Sequence, residues 1–101
     1  MSIKEDGIKV LKQIIKSNND NIKEMRRCKP KYDDSFSEKF DEVIRALQEQ
    51  LKECQLALLK SKKVDTVAEL EDWSNDLQTL AFNKGEIVSE KLAELMEDLG
   101  L

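Results

Sequence analysis

The first third of the chain carries its apolar residues at alternating steps of three and four. This spacing places them on one face of a helix and is typical of a coiled-coil seam. The seam positions are Ile8, Leu11, Ile15, Asn18, Ile22 and Met25. Asn18 interrupts the seam, and a polar residue there either specifies how two helices align or marks a helix break. We predict one helix over residues 3–29, because the seam keeps its phase across the interruption, with a break after residue 17 as the alternative.

A second helix is predicted after a short turn. Pro30 ends the first helix, since proline disfavours helical geometry at the preceding residue and has no amide hydrogen to donate. Asp34 or Ser35 is expected to cap the next helix, with Glu38 completing a capping box. An apolar stripe predicts that this helix covers residues 34–62, and its members are Phe36, Phe40, Val43, Leu47, Leu51, Cys54 and Leu58.

The end of this second helix is apolar on more than one side. Residues 56–59 read Leu-Ala-Leu-Leu, and Leu56 and Leu59 fall outside the stripe. We therefore expect this end to be covered by another helix or by another chain.

The C-terminal third contains two further apolar stripes. Asp65 or Thr66 can cap a helix whose stripe includes Trp73, which we expect in the core. A final stripe covers residues 86–99. Gly85 between them is compatible with a helix stop in the left-handed conformation. One long helix running through Gly85 is the alternative, since it costs only about 1 kcal/mol.

Composition agrees with an all-helical fold. The chain has 101 residues with only 3 Gly and 1 Pro, which is too little turn chemistry for a β-sandwich or barrel. The length allows one domain, residues 1–101. We predict an all-α antiparallel bundle of three or four helices, formed by a coiled-coil-like hairpin of residues 3–29 and 34–62 plus one or two C-terminal helical segments.

The residue types exclude several kinds of chemistry. The chain has no His, so imidazole general bases, Ser-His-Asp triads and His metal sites are excluded. In a hairpin folded near Pro30, Cys28 lies roughly 27 Å from Cys54 along the helix axis, whereas a disulfide needs Cα atoms within about 7 Å. We expect both cysteines to be reduced and no cofactor to bind.

No membrane span or signal peptide pattern is present, which favours a cytoplasmic protein.

Charge is distributed unevenly along the chain. Residues 1–31 hold 9 basic and 4 acidic groups, residues 32–63 hold 6 and 7, and residues 64–101 hold 2 and 10, for a net charge of -4. One interpretation is that the acidic third neutralises the basic first helix within the fold. The other is that the basic residues near the first turn meet an acidic partner. These residues, with an adjacent tyrosine, are Lys23, Arg26, Arg27, Lys29, Lys31 and Tyr32.

Two pairs of carboxylates lie at helical i, i+3 spacing. They are Glu38 with Asp41 and Glu69 with Asp72. The pairs resemble the Glu-x-x-Glu and Glu-x-x-Asp motifs of MazG-like all-α nucleotide pyrophosphohydrolases, although Asp41 stands where the motif has Glu. The resemblance implies an alternative in which these four carboxylates hold Mg²⁺ for nucleotide hydrolysis. Acidic pairs on a solvated helix face are the simpler interpretation in so charged a chain.

We therefore expect a non-catalytic helical protein–protein interaction module: an adaptor, chaperone, inhibitor or immunity-type protein. Its partner is expected to be another protein or a second copy of itself. The expected binding residues are the basic cluster with Tyr32, together with Leu56 and Leu59. The alternatives are the Mg²⁺-dependent hydrolase and a nucleic-acid-associated regulator, and a pI near 4.9 argues against general nucleic-acid binding.

Overall fold

Three rods of helix run antiparallel along a molecule that measures 52 × 20 × 19 Å. The computed structural model describes residues 2–101, and within that range it contains helices and no strands, which confirms the all-α prediction. The helices are α1 (Ile3–Cys28), α2 (Ser37–Ser61), α3 (Val67–Thr79) and α4 (Gly85–Asp98). Two 3₁₀ turns, Lys29–Lys31 and Asp34–Phe36, link α1 to α2, and a π-helical segment, Leu80–Lys84, joins α3 to α4. The third rod is thus α3, the π segment and α4 in sequence.

Helix α1 is continuous, so the alternative with a break after residue 17 is wrong. The Ser2 side chain caps its N-terminus by accepting a hydrogen bond from the Glu5 amide at 3.1 Å. Asn18 does not interrupt the helix because its side chain finds polar partners on α2. It therefore does not compete for the backbone hydrogen bonds of its own helix.

The predicted capping box at the start of α2 does not form. Instead, the Asp33 carboxylate accepts a hydrogen bond from the Ser35 amide at 3.2 Å and caps the short 3₁₀ turn that precedes α2. Helix α2 then begins at Ser37 without a side-chain cap. At α3 the expected cap is confirmed for Thr66, whose hydroxyl accepts from the Glu69 amide at 3.1 Å while the Glu69 carboxylate accepts from that hydroxyl at 3.2 Å.

The third rod continues through Gly85, so the helix-stop interpretation of that glycine is wrong. Gly85 has a φ of -62°, which is right-handed helical geometry. The π segment before it supplies a wider turn than an α-helix has. Leu80 and Val88 both face the core and are eight residues apart in sequence, whereas two turns of α-helix take about 7 residues. The wider turn of the π segment accommodates the extra residue, so both apolar stripes face the core.

The core has two apolar clusters, one in each half of the rod. The first lies between α1, α2 and α4, and its buried members are Ile22, Phe40, Val43, Ile44, Leu47 and Leu95. The second lies between α1, α2 and α3, and its buried members are Leu11, Cys54, Ala57 and Trp73. Trp73 is 4% exposed, as its stripe predicts, and its indole Nε1 donates a hydrogen bond to the Ala57 carbonyl at 2.8 Å.

A buried polar chain separates the two clusters. Asn18 Nδ2 donates to Gln50 Oε1 at 2.9 Å and to the Leu47 carbonyl at 3.2 Å. Gln50 Nε2 in turn donates to the Leu80 carbonyl, the first of the π segment, at 3.3 Å. Both side chains are about 5% exposed. This chain links α1, α2 and the third rod at one level, which is how a buried asparagine fixes the register of packed helices.

None of the helices within residues 2–101 is both long and apolar enough to cross a lipid bilayer.

Candidate interaction surfaces

The basic cluster lies at the end of α1 and on the turn that follows it. Lys23, Arg26 and Lys31 are exposed there, and within residues 2–101 none of the three forms an ion pair. The cluster therefore presents three free cations to solvent at this end of the rod.

Arg27 in the same cluster is paired within its own helix. Its guanidinium binds both carboxylate oxygens of Glu24. These hydrogen bonds, together with one from the Cys28 thiol, lower the pKa of Glu24 below its ordinary value, because they stabilise the ionised carboxylate. Arg27 is nevertheless exposed, with 61% of its side chain accessible to solvent.

Lys29 and Tyr32 hold the turn against α2. Lys29 Nζ donates to the Asp41 carboxylate at 2.7 Å. The Tyr32 ring lies 5.5 Å from the Phe40 ring and 6.5 Å from the Phe36 ring, measured between centroids. Both predicted binding residues thus also have a structural role, although Tyr32 is still 40% exposed.

Within residues 2–101 no ion pair joins the acidic C-terminal third to the basic first helix, although α3 packs against α1. In the described residues the acids and bases of α4 pair with α2 or with each other. Lys39 of α2 lies 4.0 Å from Glu94 and 3.9 Å from Asp98. The physical reason is topological: α2 packs against both α1 and α4 and lies between much of their lengths.

Leu56 and Leu59 form a second exposed region at the other end of α2. Leu56 is 48% and Leu59 59% exposed. The expected covering helix is α3, but it covers only one side: it buries Ala57 beneath Trp73 and leaves the two leucines in solvent. They therefore lie far from the basic cluster, and the structure does not bring the two predicted binding regions together.

The two carboxylate pairs are also apart. Glu38 and Asp41 lie in the first turns of α2, and Glu69 and Asp72 lie in the first turns of α3, which follows the opposite end of α2. The α2 helix between them is about 35 Å long. Asp41 binds Lys29 and Glu69 caps α3. Within residues 2–101 no three Asp, Glu, Cys or His side chains are close enough to hold a metal ion.

The cysteines behave as the spacing predicts, and both are free thiols. Cys54 is fully buried, and burial together with the nearby charge of Glu53 raises the pKa of its thiol. Cys28 is partly exposed and donates to the Glu24 carboxylate at 3.5 Å.

A third surface was missed by sequence reasoning. It is an apolar groove of about 360 Å³ between α1 and the third rod, with Phe82 of the π segment on its edge. Phe82 is 69% exposed. Its signal in the sequence is an aromatic residue that belongs to no core stripe.

Comparison of the chain with protein-family models, with curated proteins and with solved structures finds no match. Function is therefore inferred from these surfaces.

Proposed function

We propose that the protein is a non-catalytic helical interaction module whose basic end binds an acidic surface of another protein. The observation that carries this proposal is the set of free cations at Lys23, Arg26 and Lys31. The chain as a whole has an excess of acids, yet within residues 2–101 no carboxylate forms an ion pair with these three residues. Mutual repulsion makes such a cluster mildly unfavourable in the free protein, and an acidic partner would relieve it.

The geometry suits docking better than catalysis. The cluster lies on a helix end and on a turn that Lys29 and Tyr32 hold against α2, and its long side chains extend from this packed backbone. Tyr32 beside it offers an aromatic contact that can be buried at an interface. The absence of His from the sequence and the separation of the carboxylate pairs support a binding role. Self-association through Leu56 and Leu59 belongs to the same proposal, since exposed leucines at one end of a rod favour contact with a second copy.

A charge reversal with a matched control tests the proposal. A partner is isolated with the tagged full chain from a nuclease-treated lysate, and its affinity is measured by calorimetry at several salt concentrations. The test variant is Lys23→Glu with Arg26→Glu, and the control is Lys9→Glu with Lys12→Glu, which makes the same change at the same spacing elsewhere on α1.

We expect the test variant to weaken binding about tenfold or more and to flatten its salt dependence, because two charge-assisted contacts are lost. The control should stay within about twofold of the wild type, as distant surface charges contribute little. Equal losses in both variants would show that the basic end is not the docking site. A partner that is captured from an untreated lysate but not from the nuclease-treated one would instead favour the nucleic-acid alternative.

A further inference from the structure

Three adjoining depressions follow the outer side of the third rod, and together they form what we call the groove. Its first part lies between Ile3 of α1 and the start of α3, and it shares Ile3 and Ser74 with the groove beside Phe82. That groove shares Ala81 and Phe82 with a third depression, which extends along α4 as far as Glu90. From Val67 to Glu90 the groove is about 35 Å long.

The groove exposes large apolar side chains above a floor of small residues. Ile3 is 62%, Val10 44%, Val67 74% and Phe82 69% exposed. Gly7, Ser74 and Ala81 line the groove between them, and the short side chains of Ser74 and Ala81 leave room for close approach. Contiguous exposed apolar surface of this kind marks an interaction site, and an elongated groove with spaced apolar positions suits the apolar face of a helix.

The charged residues of the groove all have the same sign. They are Asp6, Glu71, Glu86 and Glu90. Across the described range, residues 2–101, no Lys or Arg lines the groove, and none of these four acids forms an ion pair. By contrast, Glu94 and Asp98 of α4, which face α2, are both paired with Lys39. The free acids therefore flank an apolar surface rather than support the fold.

We infer that this groove binds a basic amphipathic helix of another protein. Its apolar stripe would cover Phe82, Val10 and Ile3, and its Lys or Arg side chains would reach the flanking carboxylates. The groove length corresponds to a helix of about 20–24 residues. Pairing of this groove with the same groove of a second copy is disfavoured, because it would place unpaired acids of one copy against those of the other.

This site is separate from the basic end, and it takes a partner of opposite charge. The two surfaces together would let one rod bridge two proteins. Loss of binding at one site would leave binding at the other site unchanged, since the two sites share no residues.

The binding test uses the full chain and a labelled synthetic peptide. The peptide has about 18 residues, only Leu and Lys, with the leucines at helical spacing. Two comparison peptides are a scrambled sequence of the same composition and one with Glu in place of Lys. Fluorescence anisotropy gives the affinities. We expect the helical Leu/Lys peptide to bind at least about tenfold more tightly than either comparison peptide, because only it combines the apolar stripe with positive charge.

Matched variants then locate the site. Phe82→Ser should weaken binding about tenfold, whereas Met96→Ser, which removes an exposed apolar side chain of α4 outside the groove, should have no effect. Glu71→Gln with Glu86→Gln should weaken binding more than Asp72→Asn with Glu97→Gln, which removes the same charge outside the groove. Circular dichroism checks that each variant folds.

Three outcomes would overturn the inference. Equal binding of the scrambled peptide would indicate charge attraction without a helix groove. Equal effects of the two charge variants would indicate a general response to net charge. Sedimentation that shows self-association abolished by Phe82→Ser would make a second copy the occupant.

Discussion

Replacing Gly7 by alanine should destabilise the protein, although alanine is the better helix former. Gly7 lies within α1 against the side chain of Trp73. A Cβ at this position would lie 2.6 Å and 2.7 Å from two ring carbons of Trp73 and 2.8 Å from a methyl carbon of Leu77, whereas favourable carbon contacts lie at about 3.5–4.0 Å. The indole cannot retreat freely, because it is buried and its Nε1 is bound to the Ala57 carbonyl.

Two opposing effects determine the magnitude. Alanine is favoured over glycine in a helix interior by about 1 kcal/mol. Overpacking a core costs about 1–3 kcal/mol, and a collision with a ring held in place belongs in the upper part of that range. We expect a net loss of about 1–2 kcal/mol in the free energy of unfolding, and each kcal/mol corresponds to a fall in Tm of about 4–8 °C in a domain of this size.

Gly85→Ala is the matched control. Gly85 is also helical, but the nearest atom to an added Cβ is Gln50 Nε2 at 3.7 Å, which is an ordinary contact. The same substitution should therefore stabilise the protein here by about 0.5–1 kcal/mol. Urea unfolding followed by far-UV circular dichroism measures both variants, and the two shifts should have opposite signs.

The Trp73→Phe background separates the collision from other causes. A phenylalanine ring is smaller and lacks the carbons that an alanine at position 7 would meet first. The cost of Gly7→Ala should fall by at least half in this background, as a double-mutant cycle would show for residues in contact. If Gly7→Ala stabilises the protein as much as Gly85→Ala does, the close packing of α1 on Trp73 is refuted.

Two further predictions concern the interior. Asn18→Ala and Gln50→Ala should each lower the free energy of unfolding by about 1–3 kcal/mol, because each leaves a buried polar group without its partner. The double variant should lose less stability than the sum of the two single losses. Additive losses would argue against the buried polar chain. In the native protein Cys28 should react with an alkylating reagent well before Cys54, because the Cys54 thiol is buried and has a raised pKa. Mass spectrometry of the labelled chain measures the two reaction rates. Equal rates would contradict the burial of Cys54.

Much of the fold follows from local sequence signals. The period of the apolar stripes predicts α1 and α2 to within three residues at either end, since residues 3–29 and 34–62 become Ile3–Cys28 and Ser37–Ser61. The sequence predicts that Pro30 ends one helix and that Thr66 caps another, because both effects involve only the neighbouring backbone. The start of α2 is less accurate, because Asp33 competes with Asp34 and Ser35 for the cap and propensities do not distinguish them.

The candidate sites are less accessible to sequence reasoning. The sequence predicts the basic cluster because its members are close along the chain, but it does not predict the ion pair between Lys29 and Asp41. The sequence does not predict the groove beside Phe82, since its walls come from α1 and from a rod that begins 39 residues after α1 ends. Which charges stay free depends on which helices are neighbours, and α2 lies between much of α1 and α4.

The sequence by itself determined the all-α class, the four apolar stripes, the turn at Pro30 and the absence of imidazole chemistry. Each of these depends on residue type or on spacing within one helix. Only the tertiary structure decided the roles of Gly7, Asn18 and Gly85. Gly7 is settled by its packing against Trp73 and Asn18 by its hydrogen bond to Gln50, each at least 30 positions away in the chain. Gly85 is helical in a rod whose Leu80 carbonyl accepts a hydrogen bond from Gln50. Such contacts exist only once the helices have packed, and they turn an apparent helix breaker into a continuous rod.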